Sequence, residues 1–207
     1  IARALKKRFP DSIVTLIEKE KGAGFHGSGR NSGVLHAGFY YSSESLKAKF
    51  TRVGNQRLTE YCESRGLKIN KCGKLVVAKN EEELQRLDEL LERGKTNGVP
   101  LQCLTKAEAR EIEPRVKTFE RALYSPSTAT IDPLEVIMAM KKDAEDEGVG
   151  IHLGTGYLRA QGNRVSTSSG TYEARMVINA GGLYADKIAL DFGFSKKYRI
   201  LPFKGLY

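Results

Sequence analysis

Residues 27–38 read Gly-Ser-Gly-Arg-Asn-Ser-Gly-Val-Leu-His-Ala-Gly, a run that carries chemistry rather than regular structure. Glycines at 27, 29, 33 and 38 disfavour helix and strand, because each costs backbone entropy and packs nothing. Such a loop presents backbone N–H groups, and small side chains let a ligand approach the main chain, as anion nests do. Arg30 adds a cation with a fork of donors suited to an anionic group. Histidine has an ordinary pKa near neutrality and suits proton transfer, although for His36 the bare sequence favours a hydrogen-bonded structural histidine. His26 stands at the loop entrance, and His152 is far along the chain.

The elements around this loop give it a setting. Residues 1–9 place Ile1, Leu5 and Phe9 on one helical face, and Pro10-Asp11 ends that helix. The β-branched run 12–17 predicts a strand, with Glu18 at its end. In a dinucleotide-binding βαβ unit, an acid at the end of the second strand accepts hydrogen bonds from a ribose. The first strand and Gly-rich turn of such a unit are expected ahead of residue 1.

Downstream, residues 43–65 predict a helix that stops at Gly66, and residues 73–78 a buried strand. Residues 81–95 predict a charged helix with leucines at 84, 87, 90 and 91, ended by Asn97-Gly98-Val99-Pro100. Thr105 and Glu108 have capping-box spacing for a helix that reaches Glu113-Pro114. Residues 124–131 read as strand edge or loop, and Asp132-Pro133 starts a helix that runs to Gly148. A β-rich region follows, with turns at Gly154, Gly162-Asn163 and Ser169-Gly170. A strand over 175–179 is expected to lead into Ala180-Gly181-Gly182 and a second helix. The final residues, 200–207, read as extended.

Composition narrows the classes. A chain of 207 residues with 40% hydrophobic and 29% charged residues is that of a globular protein. Net charge is +9, yet lysines and arginines are interleaved with glutamates, which favours anionic small ligands over a nucleic-acid stripe. No apolar run is long enough to span a bilayer. The three cysteines, Cys62, Cys72 and Cys103, lack CxxC spacing, which argues against a disulfide framework, against a zinc site and for a reducing compartment.

Specific motifs then point further. Glu18-Lys-Glu20, Asn31-Ser-Gly-Val-Leu-His-Ala-Gly-Phe-Tyr-Tyr41, Ser45-Leu-Lys-Ala48 and Cys72-Gly-Lys-Leu-Val-Val-Ala78 occur in order. They are followed by Asn97-Gly-Val-Pro100, Glu113-Pro114, Asn179-Ala-Gly-Gly-Leu-Tyr-Ala-Asp186 and Pro202-Phe-Lys-Gly205. Together they resemble the L-2-hydroxyglutarate dehydrogenase/oxidase family, within the D-amino-acid-oxidase-like group of FAD-dependent oxidoreductases. The resemblance covers essentially the whole chain.

What this resemblance implies is an α/β fold, an FAD-binding Rossmann-like domain interleaved with an α+β substrate domain. It also implies a whole protein roughly twice this length, so the chain is expected to be an internal segment truncated at both ends. The expected limits are 1–70 and 132–198 for the FAD-binding domain, 71–131 for part of the substrate domain, and 199–207 for a return strand. The cofactor implied is FAD, contacted by Glu18, Lys19, Ser28, Arg30, Asn31, Ser32, Gly33, Ala180, Gly181 and Gly182. Tyr41 and Lys204 are implied as substrate contacts. His36 is implied near the reacting centre, as base, as flavin contact or as the site of a covalent flavin link. Gly181 stands where the family usually has Ser or Ala, and Lys204 where an arginine usually follows Pro-Phe, which loses a bidentate fork.

The implied reaction is oxidation of L-2-hydroxyglutarate to 2-oxoglutarate by hydride transfer from C2 to the flavin. Electrons then pass to oxygen, a quinone or an electron-transfer protein. The alternatives are a sister flavoenzyme acting on an amino acid or glycerol 3-phosphate, and an inactive remnant. Expected partners are a small anionic 2-hydroxyacid and the electron acceptor, with no nucleic acid and no metal. The expected location is the cytoplasm, at most peripheral to a membrane, or the mitochondrion in a eukaryote.

Overall fold

Side-chain oxygens fix the starts of the longer helices. In the computed structural model, which describes residues 1–203 and 205, the elements follow in this order. They are α1 (Ala2–Arg8), β1 (Thr15–Ile17), β2 (Val34–Leu35), α2 (Leu46–Ser64), β3 (Ile69–Asn70), β4 (Lys74–Val77) and α3 (Glu81–Asn97). Next come β5 (Gln102–Thr105), α4 (Lys106–Ile112), β6 (Arg121–Ser125), β7 (Ala129–Ile131) and α5 (Pro133–Asp146). The last are β8 (Gly150–His152), β9 (Tyr157–Gln161), β10 (Arg164–Thr167), β11 (Gly170–Glu173), a 3-10 turn (Gly182–Tyr184) and α6 (Ala185–Asp191).

The Ser45 side chain accepts from the Ala48 amide at the head of α2, and Asn80 from Glu83 at the head of α3. Thr105 and Glu108 form the expected capping box on α4, which satisfies two amides that the helix itself leaves orphaned. Asp132 Oδ1 accepts from the Leu134 and Glu135 amides, so Asp132-Pro133 does start α5. Glu81, Glu82 and Glu83 fill the first turn of α3, where the helix dipole favours negative charge. Gly98 ends that helix in the left-handed region at φ 65°.

The chain divides into two compact units. One comprises residues Asn31–Val136 and holds two three-stranded antiparallel sheets, ordered β2-β7-β3 and β4-β6-β5. Leu84 and Leu87 on one face of α3 pack with Ala78 and with Leu123 of β6. Ala37, Phe39 and Val99 form a neighbouring cluster that shares Val76, Leu90 and Leu101 with the first. Burying each such leucine contributes about 1.5–3 kcal/mol. The leucine spacing in α3 is therefore what seats the helix on the sheet.

The other unit comprises Ile1–Arg30 and Ile137–Tyr207. Its β1 and β8 run parallel, with Leu16 opposite Ile151. Arg3 on α1 reaches both Asp143 and Glu147, so a guanidinium fork ties α1 to the end of α5. Strands β9, β10 and β11 form an antiparallel meander whose turns fall at Gly162 and Ser169-Gly170, as their sequence signals require. Asp191 of α6 accepts from the Tyr157 hydroxyl at 2.6 Å and from the Ala160 amide, which anchors α6 to β9. Burial, then this bond to Asp191, push the Tyr157 hydroxyl pKa well up.

Several expectations need correction. Residues 175–179 form no strand. Met176 and Ile178 are exposed, and no described segment offers them a ladder, so apolar character alone does not make a strand here. The described residues from 199 onward form no strand either. The first strand begins at Thr15 rather than residue 12, since Ile13 stands almost fully in solvent. Residues 124–131 resolve into the end of β6, a tight turn and β7, and the turn is held by the buried Ser125 and Thr128 hydroxyls 3.0 Å apart. The limits between the two compact units fall at 30/31 and 136/137.

Candidate functional site

In the unit of residues Ile1–Arg30 and Ile137–Tyr207, Glu18 follows β1 and is locked by backbone bonds. Its amide donates to His152 O and its carbonyl accepts from Thr155, which fixes where the carboxylate leaves the strand. One carboxylate oxygen accepts from the Glu20 amide at 2.9 Å. Lys19 pairs with Glu20 and lies 5.4 Å from the Tyr184 ring centre. The structure thus brings Lys19 beside the turn that contains Gly181 and Gly182. The bond to Glu20 chiefly raises the Lys19 pKa, and the bonds from Lys19 and then His26 lower that of Glu20.

The Gly-rich loop closes on itself before Arg30. Gly29 donates to His26 O, and a Cβ at Gly29 would overlap the Gly24 carbonyl. Around Gly27 and Gly182, by contrast, there is open space. Ser28 and Arg30 are exposed on this unit, as are Ala180 and Gly182, and Gly181 is half-buried. Asn179 staples the second turn, its Oδ1 accepting from Gly181 and its Nδ2 donating to Ala185 O at 2.7 Å.

In the Asn31–Val136 unit, Asn31 and Ser32 are exposed and Gly33 is buried. Asn31 Oδ1 accepts from the Gly33 amide at 2.9 Å, and Gly33 O accepts from Ile131 N. The chain then runs from β2 into an irregular stretch that includes His36 and Tyr41. Its carbonyls have no ladder, and long side chains take them instead. Asn55 of α2 donates to Leu35 O at 2.9 Å, and Arg93 of α3 donates to Tyr40 O at 2.8 Å. Asn97 Nδ2 donates to both Gly38 O and Tyr41 O at 3.0 Å. Phe39, 1% exposed, anchors the stretch from inside, with its ring 4.3 Å from that of Tyr40.

His36 keeps an exposed ring on this fixed stretch. Partial desolvation, then the charge of Lys74, hold its imidazole below the ordinary histidine value of 6.5. Lys74 Nζ sits 4.6 Å from the Tyr40 ring centre, and Lys47 Nζ sits 4.4 Å from that of Tyr41. The result is a neutral, proton-accepting imidazole in a cationic and aromatic setting. Lys204 lies outside the described residues. Sequence reasoning missed Lys74, Arg93, Asn55 and Asn97 as positioning groups. The only local signal was the Asn97 breaker, which reads as a helix end and not as a clamp.

Residues 1–207 match the family described as FAD dependent oxidoreductase, DAO. The chain belongs to that family. It is 34% identical over 210 residues to L-2-hydroxyglutarate dehydrogenase of Escherichia coli (strain K12), covering 96% of this chain and 48% of that protein. It is 37% identical over 227 residues to the mitochondrial L-2-hydroxyglutarate dehydrogenase of Nematostella vectensis, covering 100% and 49%. The mitochondrial enzyme of Homo sapiens is 34% identical over 223 residues, covering 100% and 48%. The chain therefore spans about half the length of the curated relatives it matches.

Glycine oxidase from Geobacillus kaustophilus superposes with a TM-score of 0.81 at 25% identity, over 93% of this chain and 54% of that one. L-alpha-glycerophosphate oxidase from Mycoplasma pneumoniae, a structure with FAD bound, superposes with a TM-score of 0.81 at 28% identity, over 92% and 53%. The mixed α/β architecture is thus that of FAD-dependent oxidoreductases. The unit of residues Ile1–Arg30 and Ile137–Tyr207 suits a dinucleotide of this kind, with a carboxylate fixed behind a parallel strand and no atom within 4 Å of where a Cβ would stand at Gly27 and Gly182. No described helix is long and apolar enough to cross a membrane.

Proposed function

We propose that this chain is part of an FAD-dependent dehydrogenase that oxidises L-2-hydroxyglutarate to 2-oxoglutarate. The observation that carries this reading is His36, held on a clamped backbone with its pKa lowered by partial burial and then by the charge of Lys74, in a chain whose curated relatives carry that enzyme's name. FAD, when bound, would supply two-electron oxidation by accepting the substrate C2 hydride. His36 takes the hydroxyl proton at its unprotonated ring nitrogen, which leaves a carbonyl at C2.

Glu18, Lys19, Ser28 and Arg30 would hold the cofactor, with the backbone of Ala180, Gly181 and Gly182. Asn31, Ser32 and Gly33 are further proposed cofactor contacts. Tyr41 and Lys204 contact substrate. In this reading residues 1–70 and 132–198 serve FAD, residues 71–131 serve substrate, and 199–207 return toward it. Electrons leave to oxygen, a quinone or an electron-transfer protein, in the cytoplasm, at most at a membrane surface, or in the mitochondrion of a eukaryote.

The likeness to glycine oxidase and glycerophosphate oxidase supports a second reading, a sister flavoenzyme for an amino acid or glycerol 3-phosphate. Visible absorbance separates the two. The purified chain, reconstituted with FAD, is expected to show flavin bands that bleach anaerobically with L-2-hydroxyglutarate and not with glycine or glycerol 3-phosphate. Bleaching by either of the latter overturns the substrate, and absence of flavin after reconstitution places the chain among inactive remnants. Acid precipitation is informative as well: colour left in the pellet assigns His36 to covalent attachment rather than proton transfer.

A further inference from the structure

Lys74 opens β4, directly opposite Ser125 of β6, and its side chain is half-buried. Among the described residues its ammonium has an aromatic face beside it and no carboxylate or hydrogen-bond acceptor. An exposed lysine needs no partner, because water supplies one. A half-buried ammonium with three donors is different, and a ring face offers them attraction without a hydrogen-bond acceptor. Tyr40, whose ring lies 4.6 Å from the ammonium, follows His36 by four residues on the same irregular stretch, which places Lys74 on the side of the molecule that carries His36. Arg93 and Asn97 fix the backbone that carries Tyr40, and its ring lies 4.3 Å from that of the buried Phe39.

We infer that Lys74, backed by the Tyr40 ring, binds the substrate carboxylate remote from the reacting carbon and so selects dicarboxylates. This rests on the reading of the site as one for a 2-hydroxyacid. The chemistry is a charge-assisted hydrogen bond from Nζ to a carboxylate oxygen, made beside a ring that limits access of water. A monocarboxylate of the same length meets the ammonium with a methyl group and leaves it unpaired. Discrimination arises from that unpaired charge as much as from the bond gained. Lys47 over Tyr41 repeats the arrangement on an exposed lysine and is not needed for the assignment.

Glutarate and pentanoate, neither of which can be oxidised at C2 in this manner, test the assignment without turnover. The ring signals of His36 and Tyr40 are followed by NMR in the 207-residue chain as each acid is added. Glutarate is expected to titrate these signals about tenfold or more tightly than pentanoate. Lys74→Gln should remove that preference and Lys74→Arg should largely restore it. Equal binding of the two acids, no perturbation by either, or a preference that survives Lys74→Gln overturns the inference. The enzymatic reading fails separately. A glutarate preference without bleaching by L-2-hydroxyglutarate leaves the carboxylate site standing, and bleaching with selectivity unchanged in Lys74→Gln removes Lys74 alone.

Discussion

Gly33→Ala is expected to destabilise the Asn31–Val136 unit by about 2–5 kcal/mol, through left-handed strain and overpacking together. Gly33 has φ +69°, a region that costs any other L residue, and an added Cβ would overlap the Ile131 carbonyl oxygen. That oxygen belongs to the backbone of β7 and cannot swing aside as a side chain would. Relief therefore means breaking the Ile131 N–H to Gly33 O bond and parting β2 from β7. Urea unfolding followed by circular dichroism checks this, with Gly27→Ala as the control, since a Cβ there meets nothing within 4 Å. The control should stay within about 0.5 kcal/mol of the parent. An unchanged midpoint for Gly33→Ala would refute the tight approach.

His36→Gln is expected to lower kcat of the flavin-loaded enzyme by about 10²–10⁴-fold while flavin content stays near that of the parent. Glutamine keeps a hydrogen-bonding amide but cannot accept a proton at neutral pH. Burial and the charge of Lys74 both lower the His36 pKa, so the acid limb of kcat/KM should lie below 6.5. Lys74→Gln should move that limb upward, because one of the two causes is removed. The same depression links to stability. Between the folded and unfolded values the unfolded chain binds more protons, so the His36 contribution is complete above 6.5 and erodes as pH falls from there through the lower folded value. A profile unaffected by His36→Gln would assign the proton to another group.

What the sequence makes legible is mostly local. Thr105 and Glu108 are three residues apart, and their capping box is a property of that spacing alone. Turn chemistry at Gly162 and Gly170 likewise suffices for the β9–β11 meander. Strands are relations between distant segments, and there the reading weakens. The apolar run 175–179 forms no ladder, whereas the unremarkable Gln102–Thr105 becomes β5 because β6 lies alongside. The site divides in the same way. Gly33 and His36 stand out in a short motif, but Lys74 acquires meaning only when folding brings it against Tyr40, 34 positions earlier in the numbering. Asn97 could be read as a helix end; its two bonds to Gly38 and Tyr41 belong to tertiary structure.

The three thiols all lie in one unit and differ sharply in access. Cys72 and Cys103 are exposed, whereas Cys62 on α2 is wholly buried, with its thiol pKa raised by burial and then by Glu135 and Glu63. Only a thiolate attacks an electrophilic reagent, so Cys62 is protected twice, by packing and by protonation. A colorimetric thiol reagent should therefore record a fast phase of two equivalents and a slow phase of one. The slow phase times the opening of α2 from its surroundings, a built-in stopwatch that needs no introduced label. Gly33→Ala should make it run faster.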